Sequence, residues 1–362
     1  MLRYLTAGES HGSALTAILE GLPPNIEIRQ EDFDNLLKKR LAGYGRGNRT
    51  KIESDKVEVL SGIVNGKTIG SPISIIIRNS DFENHKDYMA PFGAANVDIG
   101  RIDIPLPGHA DLAGMIKYGF DNCRYVRERA SARETAIRTA ISVPARCFLK
   151  SKGISSLCMV ESIGELKANI NFDSSEEDLK RLLISNGDDF LTPDSDIIPK
   201  WKSLIDECKK QNQSLGGSGV VIFYNLPIGL GSYVEYDKRL DGKIAAAVMS
   251  IPAIKGVEIG NATELSKNRN NLVDKINYNK DKGFSRQSNY AGGLEGGMTN
   301  GQPLFVRFYM KPLPSNSKVE SIDLITKKIA YPKYYRSDVQ AVTSAAVVVE
   351  SVIALEIASE MT

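Results

Sequence analysis

An α+β fold follows from three features of this 362-residue sequence. Alternating runs joined by a turn dipeptide read as antiparallel strands, separate runs with helical spacing carry helix start signals, and no G-x-G-x-x-G fingerprint marks a dinucleotide-binding unit. Residues 2–7 read as a short strand entering Gly8-Glu9-Ser10-His11-Gly12. Glu31 to Leu41 predicts an amphipathic helix with Phe33, Leu36 and Leu37 inward, ending in Lys38-Lys39-Arg40 where cations suit the dipole. Lys56 to Arg78 predicts a hairpin turning at Asn65-Gly66, with Ile73 to Ile77 as its return. The stretch 79–106 is irregular, with His85 a surface residue. A capped helix is expected from Ser131 to Ser142, interrupted at Pro144. Further strands are expected at 157–164, 217–225 and 303–310, and helices at 241–250 and from about 345 to 360. The polar stretch 170–215 reads as an insertion with two helices, in a chain otherwise taken as one domain over 1–362.

The net charge of +2, from 46 basic and 44 acidic residues, opposes a general nucleic-acid binder, and no aromatic-interleaved basic stretch supports one. Cys123, Cys147, Cys158 and Cys208 form no C-x-x-C pair, have no metal-ligand spacing, and read as free thiols of a reducing compartment. The first residues lack the layout of a signal peptide. The apolar run at 345–349 soon meets Glu350 and Glu356 and reads as too short and charged to span a membrane. A cytoplasmic protein is expected.

Chemistry concentrates in Pro107 to Ala136, which holds His109, one of three histidines. Arg124, Arg127 and Arg129 lead into Ser131-Ala132-Arg133-Glu134, an S-x-x-E capping box in which Ser131 and Glu134 would satisfy each other's backbone. A helix start flanked by Arg129 and Arg133 suits an anion. Ala42 to Arg49 is a glycine loop carrying arginines; Arg40, Arg46 and Arg49 lie within ten residues, and guanidinium forks suit carboxylate and phosphate. The run Gly8 to Gly12 matches the G-x-S-x-G of serine hydrolases, yet seven preceding residues cannot supply that scaffold; a polar Ser10-His11 pair between glycines remains. Five glycines within 288–303 imply tight turns or close approach to a flat ligand.

Eight stretches in order resemble the chorismate synthase family. They are TAGESHG at 6–12, GYGRG at 43–47, PGHADLAG at 107–114, ERASARETA at 128–136, GLGS at 229–232, MSIPAIKGVEIG at 249–260, SNYAGGLEGGMTNGQP at 288–303 and RSD at 336–338. The resemblance implies a β-α-β sandwich with a helical layer between antiparallel sheets, a homotetramer, and a lyase of aromatic amino acid biosynthesis. That reaction converts 5-enolpyruvylshikimate 3-phosphate to chorismate by 1,4-anti elimination of phosphate, with reduced FMN and no net redox change. Some members reduce their flavin with NADPH; with no extra reductase domain here, an external reductant is expected.

The resemblance also implies residue roles. His109 would protonate the departing phosphate, His11 would serve the flavin N1/O2 edge, and Asp338 would assist substrate deprotonation through flavin N5. Arg40, Arg46, Arg49, Arg133 and Arg336 would hold the substrate anions, with Ser10 and Ser131 orienting ligand. The flavin set would be Arg129, Ala130, Ser131, Pro252, Ala253, Gly296, Lys311, Pro312, Leu313, Pro314, Ser315 and Arg336; no metal is implied. Three positions depart from the family pattern: Leu106 stands where arginine is common, Pro252 where asparagine is usual, and Val339 onward where prolines often follow.

Overall fold

The computed structural model describes residues 2–47, 55–93, 98–268, 272–281, 283–314, 319–333 and 338–362. Two antiparallel sheets enclose a layer of helices. The first sheet has the order β1 (Arg3–Ala7), β2 (Ala14–Glu20), β4 (Ile73–Arg78), β3 (Val57–Ser61). Its inner face is set by alternation: Ile73, Ile75 and Ile77 of β4 are buried beside Leu15, Ala17 and Leu19 of β2. Between β3 and β4 a smaller hairpin turns at Asn65-Gly66, both in the left-handed region (φ 49° and 73°), as a two-residue turn requires. The second sheet has the order β8 (Ile254–Ile259), β9 (Leu304–Met310), β7 (Gly217–Tyr224), β5 (Ser155–Ile163), β6 (Leu166–Lys167).

Between the sheets lie α1 (Gln30–Leu41), α4 (Thr135–Ile141), α5 (Val143–Ser151), α8 (Leu240–Met249) and α9 (Val342–Glu360). On the way to the site run α2 (Asp111–Tyr118) and α3 (Arg124–Ala130); α6 (Glu176–Asn186) and α7 (Ile198–Lys210) fill the stretch read as an insertion. Pro144 does not end a helix in open chain. It sits in the first turn of α5, where its missing N–H has no helical acceptor to lose. Residues 170–215 are less peripheral than their polarity suggests, because Trp201 and Ile205 of α7 and Phe190 join the main core.

Helix α9 is the axis of the molecule. It packs on α1, α4, α5 and α8 and on strands β5 and β7. With 19 residues and a mean hydropathy of 1.7 it is long and apolar enough to cross a membrane, so shortness is not what argues against a span; 89% of that window is buried inside the fold instead. A helix covered on all sides is apolar all round. Its one deeply buried acid, Glu350, faces Arg146 Nη1 at 3.3 Å and accepts from Ser156 Oγ at 2.7 Å. Burial pushes this carboxyl up, but Arg146 and Lys39 outweigh it and hold the pKa at about 2.

The folded value lies below the ordinary 4.5, so the ionised acid favours the folded state above that pH. This contribution is lost as the pH falls from 4.5 towards 2. Glu350→Gln should therefore flatten the loss of stability across that window, measured by denaturant unfolding at stepped pH. An acid limb identical to that of the parent protein would refute the assignment.

Candidate active site

The site lies where the two sheets and the helical layer meet, in a cleft of about 770 Å³. Its first wall is the β1–β2 connection. Gly8 turns this loop with φ 111°, and a Cβ there would sit 2.4 Å from the Ala14 carbonyl oxygen, so only glycine fits. The turn presents Ser10 and His11 towards α3. There the Glu128 carboxylate takes the His11 backbone N–H at 2.8 Å and the His11 ring Nδ1 at 2.9 Å. Arg124, one helical turn earlier, holds the other oxygen of Glu128 at 2.8 Å. Burial raises the Glu128 pKa, but the His11 hydrogen bonds and charge, with Arg124, outweigh it and hold the carboxyl below its usual range.

The opposite wall repeats the arrangement with different residues. Gly108 turns the chain so that His109 Nδ1 meets Asp111 Oδ1 at 2.6 Å, at the first position of α2. Arg127 of α3 binds the other Asp111 oxygen, which also accepts the Leu106 N–H at 3.0 Å. Burial again works against ionisation of Asp111, and the His109 and Arg127 bonds overcome it, lowering its pKa. Each imidazole thus has Nδ1 committed to an ionised, arginine-backed carboxylate, which fixes the ring and leaves Nε2 for proton transfer.

Cations converge on the same space. Arg40, at the end of α1, bonds Thr135 Oγ1 at 2.9 Å and Asp55 at 3.4 Å. Arg133 shares that buried Asp55 and places Nε 3.2 Å from Asn79 Oδ1. Arg46 pairs with Asp338 at 2.7 Å, and the other oxygen of that carboxylate accepts the Gly47 N–H at 2.6 Å. Lys311 donates to the Gly108 carbonyl. An apolar floor is provided by Ile251, Pro252, Ala253, Met310 and Leu313, with Ala253 in the left-handed region at φ 69°.

Of the residues singled out from sequence, Ser10, His11, Arg40, Arg46, His109, Ala130, Ser131, Arg133, Pro252, Ala253, Lys311, Leu313, Pro314 and Asp338 all line this one cleft. Arg49, Ser315 and Arg336 lie outside the described residues. Pro312 is described but is not part of the lining. Arg129 turns away from the cleft: its guanidinium bonds the Gly8 and Thr6 carbonyls and ties α3 to β1. Gly296 is also elsewhere, at the turn of a small hairpin (Leu294–Glu295 with Met298–Thr299). The glycine cluster around it serves packing, since a Cβ on Gly292 would stand 2.2 Å from the Gly260 Cα. The capping box does not form. Ser131 Oγ accepts from the Arg133 N–H at 3.3 Å, and the Glu134 carboxylate pairs with Arg138 at 3.1 Å instead of reaching back.

His85 is the clearest departure from expectation. Its ring lies against that of His11, with centroids 4.2 Å apart, so it is no idle surface residue. Sequence reasoning also passed over Asp111, Glu128, Thr135 and Lys333, which line or support the cleft. The Arg124–Glu128 spacing of four on a helix and the Asp111 two residues after His109 were available signals; Lys333 had none. Leu106 lines the cleft, with Arg124 and Arg127 contributing cations to the same lining.

A cleft with two carboxylate-anchored imidazoles among buried arginines defines an enzyme of anionic substrates. Comparison with known proteins gives the particular kind. The family model described as "Chorismate synthase" matches residues 2–362. A chorismate synthase of Chlorobium limicola is 47% identical over 373 residues, covering 100% of this chain and 93% of that protein. One from Aquifex aeolicus is 44% identical, covering 99% and 92%. A crystal structure of a chorismate synthase superposes with a TM-score of 0.79 at 37% identity, covering 99% of this chain and 91% of that one. The chain belongs to the chorismate synthase family.

Proposed function

We propose that this cleft converts 5-enolpyruvylshikimate 3-phosphate to chorismate, a carbon–oxygen lyase reaction in which phosphate and a proton leave in a 1,4-anti elimination. The observation that carries the reading is the pair of carboxylate-held histidines, His11 and His109, facing one cationic cleft. A substrate with one phosphate and two carboxylates needs several cations when buried. Arg40, Arg46, Arg133 and Lys311 are the lining cations assigned to it, beside Arg124, Arg127 and Lys333 in the same lining, with Ser10 and Ser131 orienting the bound anion. His109 holds a proton at Nε2 for the phosphate oxygen as the carbon–oxygen bond breaks, and ionised Asp111 stabilises the charged ring before transfer. Asp338 is the carboxylate that assists removal of the substrate proton.

The residues fit reduced FMN. A volume of about 770 Å³ lies high in the roughly 300–1,000 Å³ of ordinary ligand pockets. The floor of Ile251, Pro252, Ala253 and Leu313 is apolar, as a ring system requires, and the buried Arg46 Nε, which has no hydrogen-bond partner among the described residues, can donate to an anionic group. What reduced FMN supplies when bound is transient electron donation without net redox change. Ala130, Ser131, Pro314 and Lys311 complete the residues that would hold it, and His11 keeps a proton available beside it. The reductant comes from an external source.

Cytoplasmic action is supported by four free cysteines and no disulfide among them. A homotetramer is supported by exposed apolar residues on the outer side of the first sheet, Leu5, Ile18 and Leu60, which light scattering after size exclusion would check.

The function is tested by an anaerobic assay with chemically reduced FMN and the enolpyruvyl substrate, following chorismate and phosphate together. Equal release of both is the expected result; phosphate without chorismate, or neither, would overturn it. Asp338→Asn should raise the substrate KM several-fold as the Arg46 pair and the Gly47 contact weaken, with the fold intact by circular dichroism. An unchanged KM and kcat would remove Asp338 from the site.

A further inference from the structure

Two of the chain's three histidines meet at the edge of the acid–base arrangement described above, His11 belonging to it and His85 not. One ring nitrogen each of His11 and His85 and one carboxylate oxygen of Asp81 all lie within 4.8 Å of one another. Each group is already held from behind. His11 Nδ1 is fixed by Glu128 at 2.9 Å, His85 Nδ1 is bonded to the Tyr88 hydroxyl, and Asp81 Oδ1 accepts from Asn84 Nδ2 at 2.8 Å. The donor atoms not engaged by those contacts are the His11 Nε2, the His85 Nε2 and the Asp81 Oδ2, the last two being 3.0 Å apart. Hydrogen bonds that fix the far side of each donor are the usual support of a metal site, carboxylate behind histidine above all.

We propose that His11, Asp81 and His85 form a binding site for a divalent transition-metal ion of the zinc class. Two imidazoles and one carboxylate suit zinc, cobalt or iron(II), not the oxygen-seeking magnesium or calcium. Donors around such an ion stand roughly 3.3 Å apart, given bonds of about 2.0–2.1 Å, so the three side chains close by about 1.5 Å at most. The ion takes the place of the proton between His85 Nε2 and Asp81, and the neutral ring keeps its remaining proton at Nδ1 against the Tyr88 oxygen. All three side chains are partly open to solvent, at 25%, 33% and 21% exposure for His11, Asp81 and His85, which gives the ion a way in. Three protein ligands leave a further position for water. Occupation also removes the His11 Nε2 lone pair, so the ion inhibits turnover; that consequence rests on the role proposed for His11.

The test is a cobalt(II) titration of untagged, flavin-free protein, read by the visible absorption of four- or five-coordinate cobalt, with zinc as competitor. The expected result is one equivalent bound and displaced by zinc, with His85→Gln and Asp81→Asn each weakening binding by at least the roughly 10–100-fold that loss of a supporting partner costs. Zinc should inhibit His85→Gln far less than it inhibits the parent protein, each compared with its own metal-free rate. No cobalt band, or equal affinity in His85→Gln, would overturn the site. A band that both variants lose, alongside turnover indifferent to zinc, upholds the site and overturns the role of His11. The same band with no turnover in any form upholds the site and overturns the proposed reaction.

Discussion

Replacing His109 with alanine lowers turnover by about 10²-fold or more, because the departing phosphate loses its proton donor. Flavin affinity should be nearly unchanged, since the apolar floor lies on other segments, Ile251 to Ala253 and Leu313. The geometry makes the loss specific. The Nδ1 contact at 2.6 Å orients the ring, and Asp111 keeps its charge because the His109 and Arg127 bonds outweigh burial. His109→Gln preserves size and a hydrogen bond to Asp111 yet cannot donate a charged proton, so it should be almost as slow. Single-turnover kinetics under anaerobic conditions separate the chemical step from binding. A chemical step of parental rate in His109→Ala would strike this residue from the mechanism.

Arg133→Ala carries the largest expected effect on stability, about 3–5 kcal/mol. The arginine was read from sequence as a substrate cation beside a helix start; it lines the cleft and is also buried, sharing Asp55 with Arg40 and bonding Asn79. Its removal leaves the buried Asp55 carboxylate with only the 3.4 Å Arg40 contact among its two arginine pairs. Desolvation of that acid would then go largely uncompensated. Adding Asp55→Asn to the variant should recover much of the lost stability, measured as a double-mutant cycle in urea, while substrate KM stays raised because the cation is still gone. Additive effects of the two substitutions would show that the pair does not couple.

Much of the scaffold was legible in the sequence because its signals are local. The inward set Phe33, Leu36 and Leu37 fixed the face of α1, and Asn65-Gly66 required a hairpin turn whatever surrounded it. The cationic helix start failed as a local reading because Glu134 had a rival partner one helical turn on and Arg129 had distant ones. Glu134 found Arg138 rather than the cap, and Arg129 found carbonyls more than 120 positions earlier. His85 was illegible for the same reason: nothing within 79–106 indicates that its ring will lie on His11. The β-α-β sandwich came from ordered motifs, not from periodicity, since alternation cannot say which strands share a sheet. Similarly, the glycines of 288–303 were read as tight turns or as close approach to a flat ligand; Gly296 does turn a hairpin, while at Gly292 the backbone of Gly260 is what comes close.

The cleft draws its walls from Ser10 to Val348, with contributions from nearly every layer. No stretch shorter than about three hundred residues contains both imidazoles, the arginines that face them and the apolar floor. During refolding, catalytic competence should therefore return last, after secondary structure and after most burial of tryptophan, because loops separated by hundreds of residues must close before the first turnover. Enzymatic activity in this protein is a clock for the completion of long-range docking, and a population that has regained its spectroscopic signature early should remain silent until that final assembly.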